Sequence, residues 1–406
     1  MRLHPFRAIR PPPELAARVA AVPYDVVNRS EAVELARGNP HSFLHVGRSD
    51  IDLPADVDPH DTRVYLGARA ALDRFLRDGT LLKEPAPSLY LYRQEMNGRA
   101  QTGVVGCVHI DDYERDVIRK HEKTRPDKED DRTRHVLTLM ANAEPVFLTY
   151  RGRLAIDRLV GPLVGTRPLY DFVAPDGVRH TVWPVADPDP FVAAFGDVPT
   201  AYVADGHHRS ASAWRAGKEL RARQGSGAGG EHEWFLAVLF PSEQLRILPY
   251  NRVVRDLNGL SPEEVLARLE QVGRVSASGD ATPRRSGEIC VFLAGQWYRL
   301  EIDPASIDRA DPIASLDVSL LQDRVLGPIL GIGDPRTDTR IDFVGGIRGT
   351  AGLERRVRSG EMAIAFSLFP TTLDQLIAVS DAGQVMPPKS TWFEPKLRSG
   401  LFVHEL

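Results

Sequence analysis

Residues 200–214 read Thr-Ala-Tyr-Val-Ala-Asp-Gly-His-His-Arg-Ser-Ala-Ser-Ala-Trp, and the rest of the chain is interpreted outward from this stretch. Ala201–Ala204 is a short apolar run bounded by a proline and a glycine, which predicts a strand. Helix-forming residues follow from Ser210 and meet no breaker before Gly217. The stretch therefore predicts a strand, a tight turn and a helix.

The predicted turn carries five residues of functional interest: Asp205, Gly206, His207, His208 and Arg209. The glycine permits a positive φ or a close backbone approach, and the helix that follows offers free N–H groups at its N-terminus. A guanidinium can bind two phosphate oxygens at once. These features predict an anion site for phosphate, with the carboxylate placed for metal binding or proton transfer. An ordinary Asp-Gly turn leading into a solvated helix start is the alternative.

A second candidate is the charged segment before Pro126, which reads Arg119-Lys-His-Glu-Lys-Thr-Arg125. The proline suits the first turn of a helix, so residues 121–125 are predicted to form the loop that leads into it. Glu122 is surrounded by cationic residues, and such a carboxylate should stay ionised and suit a general base or a metal ligand. A solvated run of charges is the alternative.

A third candidate lies near the C-terminus, where Lys389, Ser390 and Thr391 stand between prolines. This rigid polar turn predicts a contact with substrate or phosphate, with a packed C-terminal hook as the alternative. In the proline-rich N-terminal arm, the residues Arg7, Arg10, Tyr24 and Asp25 would line a pocket or, as the pattern favours, pack on the surface.

Composition excludes several classes of protein. The 406 residues are 42% hydrophobic and 26% charged, which is typical of a soluble globular chain of two or three domains. A net charge of −4 means that the chain has no excess of positive charge, so no nucleic-acid partner is expected. No apolar leader or membrane-length run occurs, which predicts a cytoplasmic protein without membrane contact. Cys107 and Cys290 lie in apolar runs and are predicted to be free core thiols.

Cys-x-x-Cys pairs, P-loops and the Gly-x-Ser-x-Gly motif of hydrolases do not occur in the sequence. Other patterns predict a hairpin around Asn97-Gly98, a buried strand at Trp234–Phe240 with Ile247–Val254 as its partner, and a mobile loop at Gln224–Gly230. A helix is predicted from Pro262 to Val272, with Ser261 as its N-cap.

The predicted elements divide the chain into four regions. They are an N-terminal α+β region at 1–112, a core at 113–256 that contains the Asp-Gly-His-His-Arg box, an inserted α+β lobe at 257–348, and a C-terminal segment at 349–406 that returns to the core.

Six landmarks carry a resemblance to known proteins. They are His4-Pro-Phe-Arg-Ala, Pro23-Tyr-Asp-Val, His121-Glu-x-Thr-Arg-Pro, Ala204-Asp-Gly-His-His-Arg, Arg340-Ile-Asp-Phe-Val-Gly-Gly and Met386-Pro-Pro-Lys-Ser-Thr-x-Phe-x-Pro-Lys. Together they resemble a widespread prokaryotic family that is catalogued as a domain of unknown function. The box at 204–209 is similar to the phosphate-binding turn of the ParB/sulfiredoxin-like superfamily, and the free serine kinases of that superfamily carry a similar Asp-Gly-His-x-Arg box.

This resemblance implies a mixed α/β (α+β) fold with a ParB/sulfiredoxin-like core. It implies a Mg²⁺-dependent kinase that transfers a phosphoryl group from pyrophosphate, ATP or ADP to the hydroxyl of free L-serine, giving O-phosphoserine. A ParB-like switch that binds or hydrolyses nucleotide without an amino-acid substrate is the alternative. The expected partners are the phosphoryl donor and the amino acid, and a homo-oligomer is left open.

The resemblance also implies roles for single residues, with Glu122 as the base that accepts the serine proton. The implied set is Glu122, Asp205 and His207 in catalysis; Gly206, His207, His208, Arg209, Ser210, Arg125 and Lys389 at the phosphates; Ser390, Thr391 and His121 at the substrate; and Asp205 and Glu122 at the metal.

Overall fold

The computed structural model describes residues 1–224 and 229–406, and the predicted loop at Gln224–Gly230 falls largely outside these ranges. The described chain divides into two compact units. The first unit comprises Met1–Leu245 and Pro395–Leu406, and the second comprises Arg246–Glu394. Helices and sheets alternate in both units, so the predicted mixed α+β class is confirmed.

Strands occur throughout the described residues. In chain order they are β1 (Leu3–His4), β2 (Ile9–Arg10), β3 (Leu82–Lys83), β4 (Leu89–Met96), β5 (Arg99–His109), β6 (Ile118–Arg119), β7 (Ala141–Asn142), β8 (Val146–Tyr150), β9 (Tyr170–Val173), β10 (Arg179–Val185), β11 (Ala201–Asp205), β12 (Trp234–Pro241), β13 (Ile247–Leu248), β14 (Tyr250–Val254), β15 (Arg274–Ala277), β16 (Glu288–Leu293), β17 (Gln296–Glu301), β18 (Ile341–Gly345), β19 (Ile364–Leu368), β20 (Trp392–Phe393) and β21 (His404–Glu405).

The α-helices of the described residues are α1 (Ala16–Val19), α2 (Arg29–Ala36), α3 (Leu44–Gly47), α4 (Thr62–Arg77), α5 (Ile110–Glu114), α6 (Pro126–Leu139), α7 (Leu154–Leu163), α8 (Asp189–Gly196), α9 (His207–Gln224), α10 (Pro262–Val272), α11 (Asp317–Leu321), α12 (Gly349–Arg358) and α13 (Leu373–Asp381). A π-helical turn at Gln322–Leu326 continues α11. None of the described helices is long and apolar enough to cross a membrane.

The first unit is built on a nine-stranded sheet, as far as its described residues show, in the order β6-β11-β8-β12-β5-β4-β10-β9, with β1 paired to β5. The β4–β5 hairpin turns at Asn97 and Gly98, which both have positive φ, as the sequence predicted. The predicted pairing of β12 with Ile247–Val254 is wrong, because β12 pairs with β5 and β8. An apolar run signals burial, but it holds no information about which strand lies beside it.

Helix α9 follows β11 in the chain and packs against α6. The expectation that Gly217 ends this helix is wrong, because the helix continues to Gln224. A Cβ at Gly217 would lie 2.4 Å from the carbonyl oxygen of His232. The glycine therefore permits a close approach to the neighbouring turn, and flanking helix formers outweigh its unfavourable propensity.

The second unit contains a six-stranded sheet within its described residues, in the order β15-β17-β16-β19-β14-β18. Strand β14 pairs with β18 and β19, and β13 pairs with β20. Helix α10 begins with the predicted Ser261 cap, which forms a capping box with Glu264. Cys290 of this unit and Cys107 of the first unit are buried free thiols, as predicted.

The boundaries of the four predicted regions differ from those of the two compact units. The regions change at 112, 256 and 348, whereas the units change at Leu245 and Glu394. Strands β4 and β5 from the first region share a sheet with β8, β11 and β12 from the second, since strand pairing joins segments that are distant in sequence.

Candidate functional site

The turn between β11 and α9 has the geometry that the sequence indicated. Asp205 is the last residue of β11, and α9 begins at His207. Gly206 between them has a φ of +95°, which other residues adopt only with strain. A Cβ at this position would also lie 3.0 Å from the guanidinium of Arg209. Glycine is therefore required here both by the backbone and by the packing.

Asp205 is held between two cations. Lys396 Nζ donates to its Oδ1 at 2.9 Å, and Arg209 Nη2 donates to its Oδ2 at 2.8 Å. Burial raises the pKa of this carboxyl, but the charges of Lys396 and then Arg209 outweigh burial and hold the pKa well below its usual range. The carboxylate is therefore ionised and already has a partner at each oxygen.

Lys396 contacts the candidate site, and the sequence interpretation did not name it. It lies in the segment Pro395–Leu406, which belongs to the first unit although it is distant in sequence. The signal was present, because this lysine ends the last of the six landmarks. The interpretation gave the charged role to Lys389 instead, since Lys389 lies between hydroxyl residues and prolines and Lys396 does not.

Arg209 faces the protein interior. Its side chain is 6% exposed, and Nη1 donates to the carbonyl oxygen of Pro145 at 2.5 Å. Asp25 Oδ2 lies 3.9 Å from Nη2, and Nε has no partner in the described part of the chain. Both terminal nitrogens thus fix the turn against the fold, and the predicted two-point grip on a phosphate would require them to exchange partners.

His207 and His121 form a buried pair of rings. Their centroids lie 4.4 Å apart with an edge-to-face geometry. Burial lowers the pKa of His121 to about 4, and burial followed by the neighbouring His121 lowers the pKa of His207 well below its usual range. Both imidazoles are therefore neutral near pH 7. They can take part in hydrogen bonds but add no positive charge.

A nitrogen of His207 has no hydrogen-bond partner among the described residues. His207 Nε2 is buried and makes no hydrogen bond within the described residues. On the other side of the ring, Nδ1 lies 3.8 Å from Oε2 of Glu122, whose side chain is 44% exposed. A buried polar atom left without a partner costs free energy, so the unpartnered Nε2 at the start of α9 indicates a place where a ligand could bind.

The loop that carries Glu122 also contacts the second histidine of the box. The backbone N–H of Arg125 donates to His208 Nε2 at 3.1 Å, so the ring carries its proton on Nδ1. Burial lowers the pKa of His208, which keeps the ring neutral. The Arg125 guanidinium pairs with Asp127 at 2.8 Å. The two predicted segments, 121–125 and 205–209, therefore meet as the sequence interpretation required.

Ser210 lies in the first turn of α9 and is fully buried. Its hydroxyl donates to the carbonyl oxygen of Gly206 at 3.1 Å. This hydrogen bond closes the turn on itself, so the residue shapes the predicted phosphate site through the backbone.

A second layer of charge lies behind Arg209, and the sequence interpretation did not identify it. The guanidinium of Arg132 stacks on Tyr24 at 4.2 Å, and Glu144 accepts a hydrogen bond from Ser399 Oγ at 3.1 Å. Burial raises the pKa of the Glu144 carboxyl. A cavity of about 30 Å³ lies here, lined by Arg132, His135, Val136, Asn142, Ala143, Glu144, Arg209 and Ser212.

The N-terminal arm contributes to this region. Tyr24 and Asp25 were interpreted mainly as surface packing, yet they approach Arg132 and Arg209 respectively. Asp25 keeps 38% of its side chain exposed. Two of the four arm residues thus lie beside charged residues of the candidate site, and a pocket lined by all four stays a prediction.

Lys389, Ser390 and Thr391 belong to the second unit. Ser390 is buried, and its hydroxyl donates to the carbonyl oxygen of Pro387 at 2.6 Å, which closes the turn. Thr371 donates to the carbonyl oxygen of Ser390 at 3.0 Å. The predicted substrate and phosphate contacts of these residues stay a prediction.

The residues of the first unit do not fit a magnesium ion bound at Asp205. Both carboxylate oxygens already accept hydrogen bonds from Lys396 and Arg209. Within the described ranges, no group of three or more His, Cys, Asp or Glu side chains is arranged to hold a metal. The half-exposed carboxylate of Glu122 lies on the neighbouring loop, outside the turn. The assignment of Mg²⁺ to Asp205 stays a prediction without structural support.

A family comparison assigns the chain. The family described as "Protein of unknown function (DUF1015)" matches residues 3–319. The chain belongs to the DUF1015 family. The resemblance to a family of unknown function is thereby confirmed, and the ParB/sulfiredoxin-like assignment stays a prediction. No curated protein matches this DUF1015 chain.

Solved structures offer distant similarities to the DUF1015 chain. A free serine kinase in complex with AMP is 14% identical, covers 74% of this chain and 91% of its own, and has a TM-score of 0.35. SbnI with a C-terminal truncation from Staphylococcus aureus is 13% identical, with coverages of 74% and 87% and a TM-score of 0.40. A conserved hypothetical protein from Pyrococcus furiosus is 15% identical, with coverages of 74% and 95% and a TM-score of 0.35. At these TM-scores, function must be argued from the chain's own residues.

Proposed function

We propose that this DUF1015 protein is a small-molecule kinase. The reaction is the transfer of a phosphoryl group from pyrophosphate or a nucleotide to the hydroxyl of free L-serine, giving O-phosphoserine. The observation that carries the proposal is the buried, unpartnered Nε2 of His207 at the first residue of α9, with Glu122 3.8 Å from the same ring. Serine as the acceptor rests on the resemblance of the Asp-Gly-His-x-Arg box.

The donor's phosphates would bind at the start of α9. The first N–H groups of a helix have no intrahelical acceptor and carry partial positive charge. His207 is neutral, and a neutral imidazole with its proton on Nε2 donates one further hydrogen bond. Gly206 at a φ of +95° lets the backbone turn without a side chain in the way. The site thus offers neutral donors in a fixed arrangement, which suits the spread charge of a phosphoryl group.

Lys396 and Arg209 support this site indirectly. Their charges are compensated by Asp205, so they fix the position of the turn rather than supply free cations. Arg125 pairs with Asp127 on the surface and is 70% exposed at its side chain, so it can exchange that partner for a phosphate at little cost.

Glu122 is proposed as the general base. Its carboxylate is half-exposed, on a loop that contacts the start of α9. In the reaction, the serine oxygen forms a bond to the terminal phosphorus, and the bond from that phosphorus to the leaving phosphate oxygen breaks. The leaving group keeps the bonding electron pair, and the serine hydroxyl proton passes to Glu122. Mg²⁺ would neutralise the donor's phosphate charge when bound, and no step is assigned to it.

An endpoint screen by ³¹P NMR tests the proposal. Purified protein, Mg²⁺ and L-serine are incubated with ATP, ADP or pyrophosphate in turn. A resonance of O-phosphoserine with one donor supports the kinase and identifies the donor. Loss of nucleotide that does not depend on serine supports the regulatory switch instead, and no change with any donor contradicts both reactions.

The base assignment has its own test. We expect Glu122→Gln to lower the rate of transfer by about 10²- to 10⁴-fold, because a positioned general base contributes that much, while donor binding is kept. Glu34→Gln removes another exposed carboxylate of the first unit and serves as the matched control. A rate for Glu122→Gln within about threefold of wild type would assign the base elsewhere.

A further inference from the structure

Arg252 of β14 is a buried cation without an acidic partner. The residue is 4% exposed, and Nη2 donates to the carbonyl oxygen of Pro388 at 3.4 Å. Nη1 donates to the carbonyl oxygen of Tyr250, and the guanidinium lies 5.3 Å from the ring centroid of Phe343. In the described part of the chain, no carboxylate oxygen comes within 4.0 Å of it. Buried charges in proteins are normally paired, so this one calls for an explanation.

A second cation without an acidic partner adjoins the first. Lys389 follows the residue whose carbonyl accepts from Arg252, and its side chain is exposed. Its Nζ lies 5.6 Å from the ring centroid of Tyr250, and no carboxylate of the described residues lies within 4.0 Å. Lys389 also has a φ of +57°, which is a strained conformation for a side-chain-bearing residue. Such strain persists where the surroundings enforce it, often at binding sites.

The turn that presents Lys389 is held rigidly. Ser390 and Thr371 close it with hydrogen bonds to backbone carbonyls, as described above. Tyr250 packs edge-on against Trp392 at 5.1 Å, and Trp392 Nε1 donates to Glu394 at 2.9 Å. The two cations are therefore fixed within one unit of the molecule, beside half-buried aromatic rings.

We propose that the second unit binds the phosphate group of a small molecule between Arg252 and Lys389. A guanidinium presents paired donors to phosphate oxygens, and an ammonium adds a point charge beside it. Phosphate carries enough negative charge to compensate two cations, whereas one carboxylate would leave a positive excess. This proposal rests on residues of the second unit and does not depend on the proposed reaction.

The protonation behaviour of Arg252 agrees with this assignment. Burial lowers the pKa of its guanidinium and is opposed by the Tyr250 phenol, whereas at Arg209 the carboxylates of Asp25 and Asp205 outweigh burial. The guanidinium still carries its charge at neutral pH. A bound anion would supply the missing compensation.

Isothermal titration calorimetry of the full chain with pyrophosphate, inorganic phosphate and ADP, in the absence of serine, tests the site. We expect Lys389→Ala and Arg252→Met to weaken binding of a phosphate probe by roughly tenfold or more, since each removes a hydrogen bond to a charged group. Arg309→Ala removes an exposed arginine of the same unit and should leave affinity unchanged. Since Lys389 is exposed, its variant keeps the test informative if Arg252→Met does not fold.

His207→Ala separates this site from the phosphate site proposed at α9. If the Lys389 and Arg252 variants weaken binding and His207→Ala does not, the second-unit site stands whatever the outcome for the kinase. If only His207→Ala weakens binding, or if wild type binds none of the three probes, the second-unit site is wrong. If Arg309→Ala weakened binding of the probe equally, the effect would come from general surface charge, and the proposed site would also be wrong.

Discussion

The box at the end of β11 and the cation pair of the second unit compensate charge in opposite ways. In the first unit, Asp205 accepts hydrogen bonds from both Lys396 and Arg209, so buried charges of both signs are paired. In the second unit, Arg252 is equally buried, but among the described residues it reaches only carbonyl oxygens and a ring face. The same residue type is therefore part of a closed ionic network in one unit and an uncompensated charge in the other.

Because of this difference, we expect the paired charges of the first unit to stabilise the fold and the unpaired cation of the second unit to serve ligand binding. A closed network resists removal of any one member, because the remaining charges are left buried and unpaired. An uncompensated cation contributes little to stability and is available to an external anion. Removing one charge from each region should accordingly have unequal consequences, and the following variants test that expectation.

The largest effect is expected for Asp205→Asn. The substitution keeps the shape of the side chain but removes the negative charge that Arg209 and Lys396 both contact, at 6% and 12% side-chain exposure. We expect the free energy of unfolding to fall by roughly 3 kcal/mol, as for other broken buried ion pairs. Urea unfolding followed by circular dichroism measures it. Asp127→Asn breaks an exposed pair with Arg125 and should cost much less stability; similar losses for both variants would refute the closed network.

The pH dependence of the same variant gives a smaller effect. The pKa of Asp205 is lowered in the folded protein from its ordinary value of 3.8, so its stabilisation is present above that value and is lost as pH falls towards the folded pKa. We therefore expect the stability difference between wild type and Asp205→Asn to be constant at neutral pH and to narrow below about pH 4. Urea midpoints at a series of pH values measure it. A difference that widens in acid would show that the folded-state pKa is raised instead.

The sequence predicted local backbone geometry better than it predicted contacts between residues that are distant in the sequence. The strand, the positive φ of Gly206 and the start of α6 at Pro126 all follow from short-range preferences, and all were confirmed. The contact of Lys396 with Asp205 could not be predicted, because it spans almost half of the chain and the landmark that ends in Lys396 does not indicate its partner. The partner of β12 was misassigned for the same reason.

Burial changed the interpretation of the charged residues. The sequence predicts Arg209, His207 and His208 as phosphate ligands. The structure shows Arg209 with both terminal nitrogens engaged, and burial lowers the pKa of each histidine of the box. Exposure depends on the whole fold, so residue type and spacing alone do not reveal which charges are already compensated.

Backbone strain at Lys389 allows a smaller test on the side of the second unit. Lys389→Gly relieves a φ of +57° but also removes a cation and adds freedom to the unfolded chain. We expect a net stabilisation of about 0.5 kcal/mol, measured as a higher urea midpoint, together with weaker phosphate binding. A loss of stability would mean that the lysine side chain, and not the backbone conformation, holds the turn.

The smallest change in stability is expected for Arg252→Met, the counterpart of Asp205→Asn. Loss of each hydrogen bond to the carbonyl oxygens of Tyr250 and Pro388 lowers the free energy of unfolding by about 1 kcal/mol. Removal of an uncompensated buried charge raises it by a similar amount. We expect the free energy of unfolding to stay within about 1 kcal/mol of wild type. A loss approaching that of Asp205→Asn would mean that the guanidinium is a structural tie for β14, because a charge kept for an external anion should be dispensable to the folded state in its absence.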